Sequence, residues 1–206
     1  MSSKSLFRFS GNVLLLGALL NLVAAIWSFF VNSNFPSASA SELQNPQWVV
    51  FNIIGFVAYA LILIGLPGLY LHQSGGRGGK VGLMGSLFIA LSTFFRIGVA
   101  AYFIAVVPIL AEKAPKMIEE TVFSGFVLFP FGAFFFGLIG FILLGTSIIR
   151  AKVFPTYVAI LLIISSVIEV SGIFIDGATA SAVILVLIAL TMGIALGVIG
   201  LRLKSN

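Results

Sequence analysis

Apolar residues run almost unbroken through six stretches of the chain, 9–31, 48–71, 81–110, 122–149, 155–175 and 181–202, and polar residues collect between them. Each stretch reaches about 20 residues, enough for a helix to cross a hydrocarbon core about 30 Å thick. The apolar runs are continuous, unlike the alternating strands of a transmembrane barrel. The pattern predicts an all-α membrane protein: one transmembrane domain over 1–206, folded as a six-helix bundle. The third stretch is the longest, and Pro108 is expected to end it early by disfavouring helical geometry at Val107.

Composition agrees. Hydrophobic residues fill 60% of 206 positions, charged residues 8%, and mean hydropathy is +1.22. A soluble domain carries about 25% charged residues, so lipid must supply much of the solvent here. Lys4, Arg8 and the apolar stretch before Ala38-Ser39-Ala40 resemble the outline of a signal peptide. That stretch exceeds the roughly 7–15 residues of a signal core, so it reads as a retained span.

The net charge of +5 has an explanation in orientation rather than in nucleic acid. Lys4 and Arg8, Arg77 and Lys80, Arg150 and Lys152, and Arg202 and Lys204 occupy four junctions that alternate as one side of a membrane requires. The opposite junctions hold Lys113 and Lys116 beside Glu42, Glu112, Glu119, Glu120 and Asp176. Lysine and arginine mark the cytoplasmic side, so both termini are expected in the cytoplasm.

Tandem helical hairpins are a further expectation. Gly65-Leu66-Pro67-Gly68-Leu69 aligns with Gly197-Val198-Ile199-Gly200-Leu201, and less well with the stretch from Gly145. In the odd stretches Asn21, Arg96 and Glu169 align as one polar residue at a similar depth, which suggests three hairpins, though apolar sequence also aligns with itself by chance. The segments Gly68–Gln73, Gly79–Gly85 and Arg150–Pro155 resemble those of uncharacterised small multi-spanning bacterial inner-membrane proteins. The resemblance implies a bacterial inner membrane and no particular activity.

Polar residues inside the apolar stretches carry the functional information. Arg96 and Glu169 lie roughly 22 and 21 Å along helices that start from the same side, so they are expected to pair. An ionisable residue in the membrane is a functional candidate by default; here the alternative is a bridge that fixes helix register. Helical spacing places Ser165, Glu169, Gly172 and Asp176 on one face, Gly85, Ser92 and Arg96 on another, and Ser10, Gly17, Asn21 and Ser28 on a third. Such stripes either line a polar cleft or let helices approach closely. Gly193 and Gly197 form a small-xxx-small pair suited to helix packing. Pro130 sits amid Phe123, Phe126, Phe129, Phe131, Phe134, Phe135, Phe136 and Phe141, a lipid-facing and packing set on which a flat apolar ligand is a lesser alternative.

Other chemistry is excluded. The chain has no cysteine, a single histidine (His72), and no intramembrane lysine for retinal attachment. The Gly75–Gly79 loop matches no phosphate-binding motif, and no HExxH or Ser–His–Asp set occurs. No cofactor or metal site is expected. Partners are the lipid bilayer and other membrane subunits or further copies of the chain. Three functions stay open: a non-catalytic structural or accessory subunit, which the sequence supports most; a small carrier or channel using Arg96 and Glu169; and a lipid-embedded enzyme with Glu169 and Asp176 as acid or base.

Overall fold

The computed structural model describes residues 3–31, 39–74, 78–116, 128–172, 174–175 and 177–205. Arg77, Glu119, Glu120, Phe123, Phe126 and Asp176 lie outside them. The elements formed by the described residues are all helices, without strands. Helix α1 spans Ser3–Trp27 and runs into a 3-10 turn at Ser28–Phe30. A short α2 (Ala40–Leu43) opens with a capping box, in which Ser39 accepts from the Glu42 amide and Glu42 from the Ser39 amide. Then follow α3 (Pro46–Ser74), α4 (Gly79–Ala105), α5 (Val107–Lys113), α6 (Leu128–Ala151), α7 (Thr156–Gly172) and α8 (Ala178–Ser205).

Proline sets the break between α4 and α5. Pro108 has no amide hydrogen, and its ring clashes with the carbonyl four residues back. The helix gives way at Val106, one residue ahead of the expected position, and restarts at Val107 with Pro108 in the first turn. At the α6–α7 corner Lys152 takes a left-handed φ of 57° and closes α6 through its amide, 3.1 Å from the Ile148 carbonyl.

Among the described residues five helices, counting α4–α5 as one, are long and apolar enough to cross a membrane. The sixth expected span, 155–175, is only partly realised: α7 has 17 residues and stops at Gly172. Glycine readily ends a helix, and Gly177, at φ 115°, turns the chain just before α8.

The long helices close a ring. Chain neighbours pack together from α1 through α3, α4, α6 and α7 to α8, and α8 returns to α1. One end of the ring carries most of the basic side chains among the described residues. There the His72 ring lies 5.5 Å from Phe7 and 5.2 Å from Phe154, which joins the start of α1, the end of α3 and the α6–α7 corner. Lys4, Arg8, Lys80, Arg150, Lys152, Arg202 and Lys204 are all exposed.

Backbones touch in this basic half. A Cβ on Gly11 of α1 would lie 2.5 Å from the Gly200 carbonyl oxygen of α8, and one on Gly85 of α4 would lie 2.6 Å from the Leu144 amide nitrogen of α6. Gly65 and Gly68 of α3 receive Leu14 and Ser10 of α1 in the same way. Around these crossings Leu14, Leu69, Leu144, Ile148, Leu162, Ile199 and Leu203 form a fully buried core. A smaller cluster of Leu43, Trp48, Phe103, Val107 and Ala111 ties α2 and α5 to the far end.

Candidate functional site

The far half of the ring is not filled. It holds a cavity of about 230 Å³ to which all six long helices contribute. The lining residues come mainly from the second halves of α1, α4 and α7 and from the first halves of α3, α6 and α8. In an antiparallel ring these halves lie together, away from the basic end. Ile62, Ile89, Phe141 and Met192 belong both to the cavity wall and to the core, so they make its floor.

The polar residues singled out from the sequence meet here. Arg96 and Glu169 form an ion pair in which an Arg96 Nη donates to Glu169 Oε1. Arg96 Nε lies 3.4 Å from Ser92 Oγ, and Ser92 in turn donates to the Ala133 carbonyl at 2.6 Å. The guanidinium carbon stands 5.4 Å from the centroid of the Tyr59 ring, a cation–π distance. Asn21 and Ser165 line the same cavity; Ser165 spends its hydroxyl on the Leu162 carbonyl at 2.8 Å.

The pair bridges helices that do not pack side by side, since α6 stands between α4 and α7 in the ring. Gly137 of α6 makes room for it. A Cβ there would sit 3.0 Å from Ser92 Oγ, 3.5 Å from Arg96 Nη2 and 3.8 Å from Glu169 Oε2. The pair is also open to the cavity, with 19% of the Arg96 side chain and 8% of the Glu169 side chain exposed. A charge this deep is costly alone, about 2.5–3.5 kcal/mol on insertion scales. The pairing removes most of that cost and leaves a polar spot on an otherwise apolar wall.

Other predicted positions serve packing. Ser10 and Gly85 lie in the tight basic half, and Gly172 packs on Ile184. Gly193 and Gly197 face α1 with room to spare: a Cβ on them would lie 3.8 Å from the Ala18 carbonyl oxygen and 4.0 Å from Leu15 Cδ2, and the close approach of α8 is at Gly200. Phe129, Phe131 and Phe135 are exposed, whereas Phe88, Phe136 and Phe95 form a ladder of rings 5.7 Å apart between α4 and α6. Two cavity residues, Asn52 and Tyr59, went unread in the sequence. With Gly55 they follow helical spacing on one face of α3, a signal that was available.

Among the described residues no three His, Asp or Glu side chains are grouped to hold a metal. No protein-family model, curated protein or solved structure matches the chain. The site therefore has to be interpreted from its own geometry.

Proposed function

We propose that this protein is a small-molecule carrier of the bacterial inner membrane, with the cavity as its binding site. One observation carries the reading: a cavity confined to one half of a six-helix ring, with a charged pair on its wall and a sealed core beneath. Binding sites in helical membrane proteins combine apolar walls with a few convergent polar groups. An accessory subunit, which the sequence alone favours, has no need of such a space. Among the described residues the cavity wall offers no second carboxylate or histidine to share acid–base chemistry with Glu169, as the enzyme reading requires.

In this reading α7 crosses the membrane despite its length, giving six spans. It leaves the α6–α7 corner at the basic end, whereas α8 ends there with Arg202 and Lys204 and so starts at the other. With the basic end in the cytoplasm, both termini are inside and the cavity faces outward. Asn21, Arg96 and Glu169 each come from the first helix of a hairpin, which supports a threefold hairpin repeat as the origin of the cavity.

Two measurements test this. Single cysteines at Ser41 and Ala178 should react with an impermeant thiol reagent in intact cells, while one at Ser74 should not; labelling at Ser74 reverses the orientation. Gly55 lines the cavity, and a Cβ there meets nothing nearer than 4.0 Å. Gly55→Leu should therefore grow into the space without disturbing the fold. A solute that stabilises the parent at 100 times its Kd contributes about 2.7 kcal/mol. That stabilisation should vanish in the variant, and its persistence would place the site elsewhere.

A further inference from the structure

We infer that the cavity binds a small apolar monocarboxylate together with one proton, the ligand taking the place of the Glu169 carboxylate on Arg96. This rests on the cavity being a ligand site, as proposed above.

The argument is one of charge balance. Among the described residues the cavity wall carries one guanidinium, Arg96, and one carboxylate, Glu169. A guanidinium keeps its proton in proteins, whereas a carboxylate can accept one. A cationic ligand seated on Glu169 would leave Arg96 uncompensated. An anion arriving alone would leave a net negative charge. An anion arriving with a proton for Glu169 keeps the sum at zero, and an uncompensated charge is what the membrane interior penalises. An uncharged ligand would gain nothing from opening the pair.

Geometry favours the same exchange. Arg96 is open to the cavity, and its five N–H donors exceed the contacts made with Ser92, Glu169 and Tyr59. Guanidinium and carboxylate form a two-pronged contact, and Arg96 and Glu169 both line the cavity that a ligand would enter. The rings of Phe51, Tyr59, Phe134 and Phe141 line the cavity and suit a flat or chain-like apolar body. At 230 Å³ the cavity is smaller than the roughly 300–1,000 Å³ of drug-sized sites, which limits the body to about one ring or a short chain.

The titratable and charged groups facing Glu169 are Arg96 from α4 and, beyond it, Tyr59 from α3. The neighbouring helices α6 and α8 present Ala133, Gly137, Ile188 and Met192 on the cavity side. The exchange is balanced: a proton from water forms an O–H bond on Glu169, the Arg96–Glu169 contact opens, and the ligand carboxylate pairs with Arg96. Release runs in reverse and returns the proton to water.

Benzoate is a suitable probe and benzamide its uncharged counterpart, each titrated into the full-length protein in detergent between pH 5 and 8. Benzoate affinity should rise as pH falls, by up to about tenfold per unit, the limit for one linked proton. Glu169→Gln should bind benzoate without pH dependence and gain a larger rise in Tm from it than the parent does. Arg96→Gln should lose benzoate binding; if it does not fold, Arg96→Lys, which keeps the charge but not the fork, should bind about tenfold more weakly. Equal, pH-independent binding of benzoate and benzamide would overturn the exchange and leave the cavity as a ligand site. Binding of both probes unchanged in Gly55→Leu would overturn the carrier reading as well.

Discussion

Replacing either member of the Arg96–Glu169 pair by glutamine should cost about 3–5 kcal/mol, while the double substitution should recover much of it. Breaking a buried pair leaves a charge without its partner; removing both leaves none. Glu169→Gln keeps the length of the side chain, so its loss reports charge rather than packing, whereas Arg96→Gln also gives up the contacts of the guanidinium with Ser92 and Tyr59. The pair joins α4 to α7 across the space beside Gly137, so its loss is felt by three helices. Unfolding measured in detergent or bilayers for the four proteins of the cycle gives the coupling directly. A single variant as stable as its parent would show that the two residues do not depend on each other. The ligand exchange adds a condition: a carboxylate should restore stability to Glu169→Gln, because it supplies the missing negative charge.

A second large effect is expected at Gly85. A Cβ there would lie 2.6 Å from the Leu144 nitrogen and 3.0 Å from its Cα, so the obstacle is backbone rather than a flexible side chain. Overpacking costs about 1–3 kcal/mol where side chains can shift. Here a helix must move, and Gly85→Leu should prevent assembly while Gly85→Ala should cost about 3 kcal/mol. Gly193→Ala and Gly197→Ala provide the control. Their new methyl groups would meet neighbours at 3.8 and 4.0 Å, and alanine favours a helix over glycine by about 1 kcal/mol. Both should be neutral or slightly stabilising. Equal losses at Gly85 and Gly193 would contradict the observed helix crossings.

Much of the fold was legible because solvent dictated it. Long apolar runs and a proline at 108 each have one physical reading, and the basic residues at alternate junctions do collect at one end of the ring. The length of α7 was not legible, because Ile173, Phe174 and Ile175 are as apolar as the helix they follow. The pairing of Arg96 with Glu169 could be anticipated from depth alone, since a lone charge there needs a partner. The glycines were harder. Glycine at helical spacing permits close approach but does not name the partner, and Gly200 rather than Gly193 or Gly197 meets α1 because the crossing lies nearer the basic end. The cavity was least legible. The small and polar stripes offered two readings, packing or cleft, and each holds in a different half: Gly85 packs, while Ser92 and Arg96, further along the same face, line the space. A void arises from six helices together, and a stripe such as Asn52, Gly55 and Tyr59 on one helix does not show whether its neighbours leave a space.

The ring is closed by the contact of Gly11 with Gly200, residues near opposite ends of the chain. A ribosome adds about 5–20 residues per second, so α1 leaves it roughly 10–40 s before the helix that completes its packing. During that interval the α1 face bearing Gly11 has only lipid or a foreign helix beside it. Closure of the ring is then timed by α8, and a nascent chain stalled before α8 would present an open seam to whatever insertion factor or chaperone attends it.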